Sequence, residues 1–263
     1  MKKLFKKIIC ISLITFNFLK MEQVKSLVPY YYFPTIKNLQ KESLSIGQSA
    51  YQLLYFGQYK ESLNLAELAV KINKTNEKLW LILSEAQIAN ELYKKALNSL
   101  NEAQKINSNI SEIYFAKSNV YLKISQIKNA KTALERGLKI EPNNHKAIFQ
   151  LGNILLMEKD YSGAINLFDR SVKIKPDFWQ AINNQGLAYF ETNDINLSIK
   201  FFKKAISIEE NAEPLLALAA CLKIKNIELA LQLAKKALNK DPNYVNYDYR
   251  KEQLWGEKLQ TST

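Results

Sequence analysis

HKAIFQLGNILLMEKDYSGAINLFDRSVKIKPDF, residues 145–178, is the stretch that decides the fold. Across its 34 residues Ile148, Leu151, Gly152, Leu155, Ala164, Phe168, Ser171 and Pro176 stand at places 4, 7, 8, 11, 20, 24, 27 and 32. Places 4, 7 and 11 are three and four residues apart, so they share one face of a helix, and places 20, 24 and 27 share a face of a second. Small residues at 8, 20 and 27 let two backbones approach closely, and large ones at 4, 11 and 24 fill the gaps between them. A proline at 32 stops the second helix. The segment reads as two antiparallel helices.

The same sizes recur on both sides. Lines of 34 residues beginning at Ser43, Glu77, Ser111, His145 and Trp179 run in register without an insertion. A sixth line, near 213–244, lacks two residues between Ala220 and Ala230, which predicts a shortened turn there. Asn143, Asp177 and Asn243 follow the repeat-end prolines and are placed to cap the next helix. A fixed period of this length marks a stack of like units rather than one compact core.

This pattern resembles the tetratricopeptide repeat family, in about six copies over residues 43–246. The resemblance implies an all-α fold, a right-handed α-solenoid whose concave groove is lined by the first helix of each pair. It also implies a noncatalytic scaffold for a peptide or protein partner, with no cofactor. The repeats are expected near 43–76, 77–110, 111–144, 145–178, 179–212 and 213–244. Residues 245–263 are expected to form a capping helix and tail, with Tyr247, Leu254 and Trp255 on its inner side. Tyr244 to Tyr249 is the alternative here, as a patch for a partner.

The formal charge of +12 is unevenly placed. Residues 1–42 carry eight lysines against Glu22 and Glu42, so half of the excess lies in a sixth of the chain. That distribution argues against a nucleic-acid footprint on the repeats, which needs basic residues clustered on one face. An RNA- or polyanion-binding solenoid stays as the alternative function.

Residues 1–26 read as an address. Lys2, Lys3, Lys6 and Lys7 precede the uncharged, largely apolar run Ile8–Leu19. That run is short for a membrane span and fits a signal peptide, with cleavage after Ser26; a retained membrane anchor is the competing reading. Either places the protein outside the cytoplasm or on a membrane, with a cytoplasmic location the weaker expectation. Residues 27–42 include Pro29-Tyr30-Tyr31-Tyr32-Phe33-Pro34, either a plug for the open end of the first repeat or an interfacial aromatic anchor.

Groove-lining places are 2, 5, 6, 9, 12 and 13 of each line, which face away from the second helix. Phe115 and Asn119 hold places 5 and 9 of the third line, Phe149 and Asn153 the same places of the fourth, and Asn183 and Asn184 places 5 and 6 of the fifth. An asparagine offers acceptor and donors that match a peptide unit, and the phenylalanines add apolar contact. These six are the candidate partner-binding residues. The family's basic clamp for a C-terminal carboxylate is not met, because Phe149, Pro214 and Leu218 stand where it needs cations. Cys10 and Cys221 suggest neither metal site nor disulfide framework, and the lone His145 is expected as an exposed helix-start residue. No arrangement of side chains suggests catalysis.

Overall fold

The computed structural model describes residues 35–263, and every regular element among them is helical. The address in residues 1–26 and the aromatic run Pro29–Pro34 lie outside the described residues.

The helices come in six pairs. They are α1 (Ile36–Tyr55) with α2 (Tyr59–Ile72), α3 (Glu77–Ala89) with α4 (Tyr93–Ile106), and α5 (Ser111–Lys123) with α6 (Ile127–Ile140). Then follow α7 (His145–Met157) with α8 (Tyr161–Ile174), α9 (Trp179–Glu191) with α10 (Ile195–Ile208), and α11 (Ala212–Leu222) with α12 (Ile227–Lys240). A 3-10 turn over Pro242–Val245 leads to two short helices, α13 (Tyr247–Glu252) and α14 (Glu257–Ser262). Each helix packs chiefly on its neighbours in sequence and on the first helix of the adjacent pair, as a quasi-linear solenoid must. The helix α1 starts seven residues before Ser43, so its 20 residues extend past the repeat into the segment expected to precede it.

The packing follows the size pattern. Ala50, Ser84 and Ser118 at place 8, and Ser62, Ala96, Ala130, Ala164 and Ser198 at place 20, have no exposed surface. Place 24 is filled by Leu100, Leu134, Phe168 and Phe202, also fully buried. The closeness is visible at Gly152 and Gly186, where a Cβ would come within 2.6 Å of the Phe168 and Phe202 rings. Where place 20 is serine, its hydroxyl donates to the facing backbone: Ser62 to the Ala50 carbonyl at 2.8 Å, Ser198 to that of Gly186 at 2.9 Å. A buried hydroxyl is tolerated because it is paired. At place 4, the Trp80 indole and the Tyr114 hydroxyl donate to the carbonyls of Lys74 and Ser108, at 2.8 and 2.9 Å, tying each repeat to the loop before it.

Two local expectations need correction. None of the three expected caps holds: Asn144, not Asn143, accepts from the Ala147 N–H; Phe178, which makes no side-chain cap, precedes α9 in place of Asp177; and Asn243 lies inside the 3-10 turn, with Asn246 capping α13. The missing pair of residues in the sixth repeat does not shorten its turn. It shortens the first helix, so that α11 has 11 residues where α3, α5, α7 and α9 have 13. In the other five repeats a residue in the left-handed region reverses the chain: Gly57, Glu91, Ser125, Lys159 and Asn193. The sixth repeat has no such residue, and its turn runs through Lys223 in a right-handed helical conformation.

The C-terminal segment buries apolar surface, as a cap should, but not as one helix laid on the end of the stack. Gly256 and a left-handed Leu254 break it in two. The second piece, α14, packs on α9 and α11, which are first helices, and so folds back over the inner face. Trp255 is buried and Leu254 half-buried, whereas Tyr247 is exposed.

Candidate concave site

The inner face is divided by this tail. In repeat 3 the groove places hold Glu112, Phe115, Ala116 and Asn119, all exposed or half-buried. Of the equivalent places of repeat 5, Gln180 is half-buried and Asn183, Asn184 and Leu187 are buried, and those of repeat 6 hold Pro214, Ala217, Leu218 and Cys221, all buried. The difference is the covering of α9 and α11 by α14.

The open part is a cleft of about 660 Å³ built almost wholly from α3, α5 and α7. Its walls include Glu85 and Ile88 of α3, Glu112, Phe115 and Asn119 of α5, and Lys146 and Gln150 of α7. Places 2, 6 and 9 turn inward because the other side of each first helix is engaged by its own second helix; place 5, expected to face away from that helix too, instead sits at the boundary and touches it. Phe115 is held by its repeat partner: its ring lies over Gly137 of α6, where a Cβ would come within 2.4 Å of it. Asn119 projects beside it and is exposed. Glu85 keeps exposed surface, yet the cleft walls desolvate its carboxyl and raise its pKa above the ordinary value. The cleft thus offers an aromatic surface, amides and opposite charges, which suits polar backbone and mixed side chains.

The remaining candidates lie one repeat further on and are tied together. Phe149 packs edge-on against Phe178 with ring centroids 5.0 Å apart, and beside Phe168 at 5.7 Å. The Asn184 amide donates to Asn153 Oδ1 at 2.8 Å, and that of Asn183 to Asn184 Oδ1 at 3.2 Å. Asn183 has no exposed surface, and its own Oδ1 has no hydrogen-bond partner. The structure therefore brings Asn153, Asn183 and Asn184 into one ladder beside a second cleft of about 490 Å³, whose lining includes Phe149, Trp179, Gln180, Glu213 and Leu254.

Two carboxylates outside the predicted set, Glu213 and Glu191, organise this end. The Glu213 carboxyl accepts from Trp255 Nε1 at 3.3 Å, and Asn183 also donates to it. The residue keeps some surface, but its carboxyl is enclosed, and burial pushes its pKa up to about 7. Glu191, buried at the end of α9, accepts from the backbone N–H groups of Lys258 and Leu259 at 3.4 and 3.1 Å. Glu191 stands at groove place 13 and Glu213 opens α11, so their positions were legible, but the partner that buries them is distant in sequence.

The single histidine does begin α7, but its ring packs edge-on to Phe178 at 5.2 Å and is half-buried. Burial, then the charge of Lys175, lowers its pKa. Cys221 is free and buried beside Ser198 Oγ at 3.5 Å, and burial pushes its thiol up to about 11, far from a nucleophile's range. Among the described residues no group of three or more acidic, histidine or cysteine side chains is placed to hold a metal, and no helix is long and apolar enough to cross a membrane.

A family model described as tetratricopeptide repeat matches residues 111–144, 145–178 and 180–211. Comparison with curated proteins finds no match. Several solved structures share the fold. PilW, a "widely conserved type IV pilus biogenesis factor", is 20% identical with a TM-score of 0.68, over 83% of this chain and 97% of that one. MamA from Desulfovibrio magneticus RS-1 is 20% identical with a TM-score of 0.59, over 66% and 97%. YrrB, "a TPR protein with an unusual peptide-binding site", is 19% identical with a TM-score of 0.54, over 77% and 98%. Identities this low speak for the fold.

Proposed function

We propose that this chain, three of whose repeats match a tetratricopeptide-repeat model, is a noncatalytic scaffold in which the open cleft of α3, α5 and α7 holds an extended segment of a protein partner. The observation that carries this reading is the cleft itself. Three successive first helices contribute Glu85, Glu112, Phe115, Asn119, Lys146 and Gln150 to one continuous inner surface. An extended chain must satisfy a donor and an acceptor at every residue. Asn119 and Gln150 supply both kinds of group, and Phe115 supplies apolar area between them.

The partner works in the compartment to which residues 1–26 send the chain, outside the cytoplasm or at a membrane, where assembly or upkeep of a membrane complex is the role we assign. The pilus factor and the peptide-binding protein of similar fold are consistent with such roles. The polyanion alternative draws on net charge alone, and two carboxylates in the cleft, Glu85 and Glu112, oppose it.

Affinity capture from the native host tests the reading. Asn119→Arg with Gln150→Arg fills the open cleft with two long side chains while leaving the buried packing intact. The partner retained by the wild-type chain should fall at least tenfold in recovery with the double variant. Undiminished recovery would remove the cleft from the account.

A further inference from the structure

The tail does more than hide apolar surface. Residues 254–259, Leu-Trp-Gly-Glu-Lys-Leu, meet the inner face of repeats 5 and 6 through a set of matched contacts. Trp255 and Leu259, four residues apart, are 3% and 0% exposed and share one core with Leu187, Phe190, Leu215 and Leu218. The Trp255 indole N–H donates to Glu213 at 3.3 Å. Gly256 precedes α14 without any side chain to cap it, and the Glu191 carboxylate accepts the N–H groups of Lys258 and Leu259 in its place. A Cβ on residue 256 would come within 2.2 Å of Glu191 Cδ, so a larger residue there displaces the carboxylate from these contacts. Lys258 Nζ donates to the Glu191 carbonyl at 2.5 Å and to Asn193 Oδ1 at 3.2 Å.

Each contact reads a different feature of a short sequence: an indole, a glycine, a cation and a leucine. Leu187, Phe190, Leu218 and Glu191 stand at inner-face places whose repeat-3 equivalents, Asn119, Leu122, Ala116 and Lys123, are exposed or half-buried. Two helices of six residues are also too short to hold themselves together, so the segment takes its shape from the surface it lies on. Those are the properties of a peptide in a receptor groove.

We propose that residues 254–259 are a ligand bound in cis, and that the groove of α9 and α11 beneath them is a second binding site, specific for a segment of another protein chain with the pattern Trp-Gly-x-Lys-Leu, which exchanges with the tail. The proposal rests on the reading of the concave face as a protein-binding surface, but concerns a different part of it. Apolar pockets for Trp and Leu supply the affinity. Glu213 and Glu191 supply the specificity, since an unmatched carboxylate left in that groove is costly. The tail sets a threshold: an incoming segment binds only in competition with it, so the apparent affinity falls by the fraction of time the groove is occupied.

The probe is a labelled synthetic peptide with the sequence of residues 244–263, titrated by fluorescence anisotropy against full-length chains. Trp255→Ala with Leu259→Ala frees the groove, and this chain should bind the peptide at least tenfold more tightly than the wild-type chain does. A peptide with alanine in place of tryptophan should bind neither. Adding Glu191→Ala to the freed chain should abolish binding. Equal affinity for both chains, or no binding to a freed chain that keeps its helical circular dichroism, would overturn the proposal. A measurement on the wild-type chain stands apart from any folding defect. Amide exchange of residues 257–262 should proceed through openings that leave α9 protected. Tail and α9 exchanging together would show a permanent part of the core. Partner capture through Asn119 and Gln150 is unaffected by either result, so the two readings fail separately.

Discussion

At the scale of single residues, Glu213 carries a carboxyl held well above the ordinary carboxylate range. Its carboxyl is raised from 4.5 to about 7 chiefly by burial, with hydrogen bonds from Trp255 and Asn183 working the other way. Between those two values the folded chain holds a proton that the unfolded chain has released. Stability therefore falls as pH rises from 4.5 to about 7, and the effect is complete above that range. The size is on the order of 3 kcal/mol, which already includes the stabilisation of the charged form by the two donors. Tyr244, Asp241 and Tyr249 lie close by, so the difference between two chains is the cleaner quantity. Thermal melting of wild type and Glu213→Gln across this range should give a gap in Tm that moves in the variant's favour with rising pH. A gap constant with pH would contradict the assignment.

At the scale of elements, the turn between paired helices is the revealing feature. Its second residue is left-handed in five repeats, with φ from 59° to 74°, and only Gly57 is a glycine. The two hydrogen bonds that close it are repeated, for example Glu91 N–H to the Ile88 carbonyl at 2.9 Å and Leu92 N–H to that of Gln87 at 2.8 Å. A side chain in that region costs about 1–2 kcal/mol, against about 0.5–1 kcal/mol for the extra freedom glycine has when unfolded. Glu91→Gly and Ser125→Gly should each stabilise by about 0.5–1 kcal/mol, read from chemical denaturation. Asn193 should not behave this way, because its side chain holds Lys258. A loss of stability at both Glu91 and Ser125 would mean the turn is not strained.

These turns also show what the sequence could tell. Helix pairs were legible because Ala96, Leu100, Ala130, Leu134, Ala164 and Phe168 recur at places set by helical geometry, and burial acts on size alone. The turns were not, since Glu91, Ser125 and Lys159 carry none of the glycine that usually marks a left-handed residue. Neither was the tail. Its amphipathic pattern said that Leu254 and Trp255 would turn inward, but not toward what. Glu191 and Leu259 are 68 residues apart, and no local periodicity links them. Of the six candidate groove residues, Phe115 and Asn119 line the open cleft, whereas Asn183 lies buried below the tail.

At the scale of the molecule, a periodic stack leaves one long inner surface, and this chain uses it unevenly. Repeats 2 to 4 present the cleft; repeats 5 and 6 are occupied by the chain's own end. The outer helices of repeats 2 to 4 expose lysines and isolated apolar residues such as Ile106 and Ile174, whereas α12 exposes Ile227, Leu229 and Leu231 together. Recognition by repeats 2 to 4 is therefore expected from the inner side. A photo-crosslinking residue placed at Asn119, on the inner face, and separately at Lys105, on the outer face of α4, tests this most directly in the native host. The account predicts a discrete protein adduct from position 119 and none from position 105. Adducts of equal yield from both, or from position 105 alone, would contradict it.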